Sequence, residues 1–84
     1  MPYIEKKNRG RFEDAIRDIG EVISCVGDIN YVFTRILNDT IERQGISYTL
    51  LNELIGVLEC AKLELYRRKV APYEDVKIAE NGDV

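Results

Sequence analysis

This sequence predicts an all-α fold: a three-helix unit with a long C-terminal helix and an extended arm at each end. Three features predict it. Apolar residues recur at three- and four-residue spacing in three successive stretches, glycine-bearing polar breaks separate them, and a proline follows the last. The helices fall at residues 8–26, 29–44 and 48–69, with arms at 1–7 and 70–84. At 84 residues the chain is expected to form a single helical domain, near the lower end of what folds alone.

The first helix shows Phe12, Ala15, Ile16, Ile19, Val22, Ile23 and Val26 on one narrow face, with Asn8 as N-cap and Gly27 as a left-handed stop. Asp28 is expected to cap the second helix almost at once. A connection that short makes the two helices antiparallel neighbours. The second helix has Ile29, Val32, Phe33, Ile36, Leu37 and Ile41 on its apolar arc and stops at Gly45.

Ser47 or Thr49 starts the third helix, whose arc is Leu50, Leu51, Leu54, Ile55, Val57, Leu58, Ala61 and Leu65. Pro72 forbids further regular helix and biases Ala71 towards an extended backbone. Residues 73–78 therefore read as an extended arm, and Asn81-Gly82 is a turn signal too near the end for a hairpin. Arms of this kind clasp a neighbouring subunit.

Hydrophobic residues make up 45% of the chain and aromatics 8%, so a core is to be built mainly from Ile, Leu and Val. A small domain without disulfide or metal staples gains stability by association, and a homo-oligomer is expected. The net charge of −3 argues against a dedicated nucleic-acid binder. The bases are nonetheless clustered at Lys6, Lys7, Arg9 and Arg11 and again at Arg67, Arg68 and Lys69, an arrangement suited to a small anion.

Cys25 and Cys60 have no metal-ligand spacing, no signal peptide precedes them, and a reducing cytoplasm is the expected compartment. No apolar run approaches the roughly 20 residues of a membrane span. With no histidine and no carboxylate cluster of metal-binding spacing, neither a metal nor a cofactor is expected. Catalytic residues are not expected either, because no group is poised as a base near neutral pH.

Lys62 lies within the apolar arc of the third helix, three residues from Glu59 and four from Tyr66. It either snorkels to the edge or faces a ligand. Tyr31, Arg35, Asn38 and Glu42 form a polar stripe on the second helix. A tyrosine beside an arginine offers a stacking plane and a fork of donors, which suits a planar anion. Gly56, Cys60 and Leu63 make a patch on the otherwise polar side of the third helix that another helix could approach closely.

Several stretches carry a resemblance: Met1-Pro2-Tyr3-Ile4, Gly27-Asp28-Ile29-Asn30-Tyr31 with Arg35, and 52–64. Tyr66-Arg67-Arg68, Ala71-Pro72-Tyr73-Glu74-Asp75 and Glu80-Asn81-Gly82-Asp83-Val84 complete it. On these the chain resembles a small uncharacterised family encoded by bacteria and their phages. More loosely, its architecture is similar to the helical-hairpin proteins with which phages sequester nucleotide signals of bacterial immunity. That likeness implies a non-enzymatic, homo-oligomeric protein that sequesters a small phosphate-bearing nucleotide, as an anti-defence protein does. Arg67, Arg68 and Arg35 are the candidate phosphate contacts, Tyr31, Tyr66 and Tyr73 the candidate stacking rings, and Lys62 an accessory. The competing expectation is a protein-interaction module, an adaptor or inhibitor that docks a host or phage protein through its arms and the Gly56 face.

Overall fold

The structure, a computed structural model, describes residues 2–84; Met1, the first residue of the expected N-terminal arm, lies outside the described residues. Every regular element among them is helical: α1 (Gly10–Val22), α2 (Val26–Gln44), α3 (Tyr48–Leu65) and α4 (Ala71–Asn81). α3 and α4 are joined through Tyr66–Val70 without a break, giving one helix of 34 residues as the last and longest of three. The chain divides into two compact units, Tyr3–Leu54 on one side and Pro2 with Ile55–Val84 on the other.

The N-terminal arm is shorter than expected. A 3-10 turn at Lys6–Asn8 leads through Arg9 directly into α1. Asn8 is inside that turn and not a cap. The Nε of Arg9 donates to the carbonyl of Ile4 at 2.8 Å and ties the remaining arm to the helix start.

α1 ends at Val22, four residues before the expected stop, and Gly27 plays no part in ending it. Ile23 leaves the helix with an extended backbone (φ −70°, ψ 127°), and no left-handed glycine occurs at this turn. The β-branched Val22 and Ile23 are poor helix formers, which favours the exit. Asp28 then acts from inside α2. Its Oδ2 accepts from the Ser24 backbone N–H at 2.9 Å and from the Ser24 hydroxyl at 3.0 Å. A first-turn carboxylate reaching back to the residues before the helix is the logic of a capping box, and it also sits well against the positive end of the helix dipole. The helix can therefore start at Val26 with Gly27 inside it.

The other two ends follow their residue chemistry. Gly45 closes α2 at φ 83°, ψ 143°, a region open to glycine alone, with its N–H on the Ile41 carbonyl. Ser47 caps α3: its hydroxyl accepts from the Leu50 N–H at 3.1 Å.

Pro72 does not end the third helix. The C-terminal arm expected at 70–84 is helical as far as Asn81, and Gly82 (φ 87°) ends it. Proline lacks an N–H, and its ring collides with the carbonyl four residues back. The chain meets this by widening one turn: Tyr66–Val70 is π-helical, and the Ala71 N–H reaches the Tyr66 carbonyl five residues back. The wider turn keeps the helix continuous where an α turn would break.

Packing within the Tyr3–Leu54 unit is thin. Leu50 is the only buried residue among those described, at 8% exposure. Ile19, Ile23, Val32, Leu37, Ile41 and Leu54 are half-buried. α1 and α2 leave an apolar groove of about 260 Å³, walled by Ile16, Ile19, Gly20 and Ile23 on one side and Ile29, Val32 and Phe33 on the other. Among the described residues no helix is long and apolar enough to cross a membrane.

Two outcomes follow from these turns. Pro72→Ala restores an N–H and should convert the wide turn to regular α-helix, raising stability towards urea by up to about 3 kcal/mol. Unchanged stability and helix content would show that the proline does not cause the π turn. At Asp28 the Ser24 N–H and hydroxyl hold the carboxyl below its usual range. Its contribution is then fully present above the ordinary aspartate value of about 3.9 and is lost as pH falls through the lowered folded-state value. Asp28→Asn should accordingly weaken α2 at neutral pH and flatten the acid limb of an unfolding curve followed by circular dichroism.

Candidate functional site

The residues singled out from sequence fall into two groups, one in each unit. Tyr31 and Arg35 lie one turn apart on α2. The Arg35 guanidinium donates to the Tyr31 hydroxyl at 2.7 Å, and its carbon sits 5.7 Å from the ring centroid. Both ends of the pair are thus already engaged with each other, on an exposed face.

Lys62, Tyr66, Arg67, Arg68 and Tyr73 belong to the other unit, on the long helix. Three of them, Tyr66, Arg67 and Arg68, lie on the π turn itself, together with Lys69. Local pairing occupies most of the group. Lys62 meets Glu59 at 2.8 Å and Arg67 meets Glu64 at 2.9 Å, each three residues apart. Glu64 thus pairs with Arg67, three residues on. Lys77 stands 5.4 Å from the centre of the Tyr73 ring. Arg68 and Lys69 make no ion pair.

Glu74 comes close enough to the Tyr66 phenol to push its pKa up, as a polar partner first and by its charge second, with the charge of Asp75 adding to the effect. This contact exists because residues 71–81 are helical. An extended segment after Pro72 would carry Glu74 away from Tyr66. Sequence reasoning missed Glu74 for that reason, and the missed signal is the compatibility of proline with a π turn. The turn therefore offers two unpaired cations beside a tyrosine whose hydroxyl faces two carboxylates.

Two further features belong to the same helix. Pro2 lies over Val57, Cys60 and Ala61 around an apolar hollow of about 140 Å³. Gly56, four residues before Cys60, has open space beyond it: a Cβ there would meet nothing within 4 Å. Nothing in the chain itself requires glycine at 56, although it costs about 1 kcal/mol of helix stability against alanine.

The comparisons with known proteins bear on the whole chain. Residues 1–84 match the family model described as Domain of unknown function (DUF6899), and the chain belongs to that family. No curated protein and no solved structure matches it.

The Tyr66 pair is open to direct measurement. Glu74→Gln removes the neighbouring charge, so the Tyr66 phenol should titrate closer to the ordinary value of about 10. Ultraviolet titration of the wild type and the variant reads the shift. An identical tyrosine titration in both would show that Glu74 does not face Tyr66.

Proposed function

We propose that this member of the DUF6899 family is a non-enzymatic interaction module, an adaptor or inhibitor that works as a homo-oligomer and engages its partners through exposed helical faces. The observation that carries this reading is where the apolar side chains lie. Leu50 alone is buried among the described residues, while Ile16, Phe33, Ile55 and Leu65 stand 60%, 51%, 67% and 60% exposed. Single exposed hydrophobes are ordinary on a protein surface, but continuous apolar faces mark interaction sites. Here they are continuous on α1 and α2 around the groove, and along the long helix.

A second reading is favoured by the π turn. Single π turns inside α-helices are frequent at functional sites, and this one holds the unpaired Arg68 and Lys69 next to Tyr66. In that reading the protein sequesters a small phosphate-bearing nucleotide signal, in the manner of a phage anti-defence protein. Arg68 and Lys69 grip phosphate, and Tyr66 or Tyr73 stacks on the base. Arg67 and Lys62 would have to exchange Glu64 and Glu59 for the ligand. The carboxylates of Glu74 and Asp75 oppose an anion at the Tyr66 end, and this is why the interaction reading stands first.

The two readings separate in solution. Sedimentation at micromolar concentration should show a dimer or larger assembly without added ligand; a stable monomer would sink the first. Calorimetry against linear and cyclic nucleotides tests the second. If a nucleotide binds there, Arg68→Ala should weaken it by about ten-fold, on the order of 1.4 kcal/mol. No heat with any nucleotide, or equal affinity in the variant, would remove the π turn as an anion site.

A further inference from the structure

We infer that the groove between α1 and α2 receives the 55–69 segment of the long helix from a second copy of this chain. This rests on the interaction-module reading and names the partner and the two surfaces.

The first argument is fit. The groove is lined by apolar residues alone, and its first wall runs from Ile16 in α1 to Ile23, the residue just past the helix end. Seven residues of helix span roughly 10 Å. On the long helix Leu58 and Leu65 are also seven residues apart, exposed by 37% and 60%. An amphipathic helix laid between two others docks through anchors spaced in this way. Gly20 adds to the fit. It sits mid-helix in α1 on the groove wall, where a Cβ would meet nothing within 4 Å of its own chain. A helix approaching from outside uses that gap, and nothing within the chain does.

The second argument is charge. Residues 13–28 carry five acids against Arg17, a net charge of −4. Only Asp14 among those acids is in an ion pair, with Arg17. Two copies of the 13–28 segment placed face to face would set −4 against −4. The 55–69 segment instead brings the π-turn cations to them, with Arg68 and Lys69 unpaired in the chain as it stands. Lys69 also follows Lys62 by seven residues, so a line of positive charge runs beside the Leu58–Leu65 seam. Complementary fields of this kind select the heterologous contact over the self-matched one. Exchanged both ways by a two-fold axis, it gives each pair of copies two such contacts and closes the assembly.

Cross-linking tests the contact in the full chain. With Cys25→Ser and Cys60→Ala removing the native thiols, Ile16→Cys is placed in one preparation and Leu58→Cys in another. After mixing and mild oxidation, non-reducing mass spectrometry should show the mixed disulfide-linked pair as the main product. A chain carrying both new cysteines should likewise cross-link to a second chain. Closure within a single chain would mean that the groove holds its own helix and would overturn the inference. A two-chain species in sedimentation without the mixed cross-link would overturn this contact and leave the interaction-module reading standing. A wild-type monomer would overturn both.

A charge swap supplies a second arm that needs no cysteine. Arg68→Glu with Lys69→Glu should weaken self-association about ten-fold or more in sedimentation. Adding Glu13→Lys and Asp18→Lys should recover most of it. Weakening without recovery would place those cations against something other than the hairpin and would also overturn the contact.

Discussion

Everything in this chain is governed by how little apolar surface its own helices cover. Fully burying a leucine, isoleucine or phenylalanine stabilises a fold by about 1.5–3 kcal/mol, whereas ordering each residue costs about 1–2 kcal/mol in backbone entropy. A chain with one buried residue among those described, Leu50 at 8% exposure, collects little of the first term. The half-buried Ile19, Ile23, Val32, Leu37, Ile41 and Leu54 add fractions of it. Local interactions do not make up the difference. The ion pairs Asp14–Arg17, Asp39–Arg43, Glu59–Lys62 and Lys77–Glu80 are all on the surface at helical spacing, where each is worth about 0.3–0.5 kcal/mol. In the proposed assembly, surfaces outside the chain supply the rest. That links the thin packing to the proposed association: the same residues that fail to form a core are the ones that can dock.

Much of the fold was legible because helical periodicity is a strong signal over long stretches. The three helices, the break at Gly45 and the Ser47 cap follow from residue spacing and end chemistry. Apart from Asn8, which lies in the 3-10 turn and is not a cap, two ends were misread, each for a local reason. Gly27 looked like a stop because glycine after an apolar run usually is one. The stronger device was Ser24 with Asp28, which caps a helix that already contains the glycine. Pro72 looked like a terminator because a proline forbids an α turn. It does not forbid a π turn, and the bond from the Ala71 N–H to the Tyr66 carbonyl carries the helix past it.

That second error propagated into the candidate site. Tyr66, Arg67 and Arg68 are on one helix, as the sequence suggested, and Tyr73, expected in the arm, lies on the same helix; the neighbours of all four depend on the helix continuing. With 71–81 helical, Glu74 comes to the Tyr66 phenol, and Lys77 comes to the Tyr73 ring. A free cluster of cations and aromatics becomes a partly neutralised one. Sequence shows which side chains share a face when the period is constant; it does not show where the period changes, and here the change falls within the site.

Arg68 and Lys69 are common to both functional readings, and this makes the readings competitors at the level of physics. Guanidinium and ammonium groups gain most from whichever anion desolvates with them, whether carboxylate or phosphate. If the hairpin acids of a second copy hold these cations, a phosphate ligand has to displace them. Binding and assembly then oppose each other by linkage: whatever free energy the ligand gains at the cations is lost from the contact, and equally in reverse. If instead the cations stay free in the assembly, ligand and partner act independently. The wide turn at Pro72 thus places two cations that make no ion pair among the described residues, Arg68 and Lys69, where a second helix and a small anion would both seek them. Which one they meet depends on the acids of the hairpin, not on the turn itself.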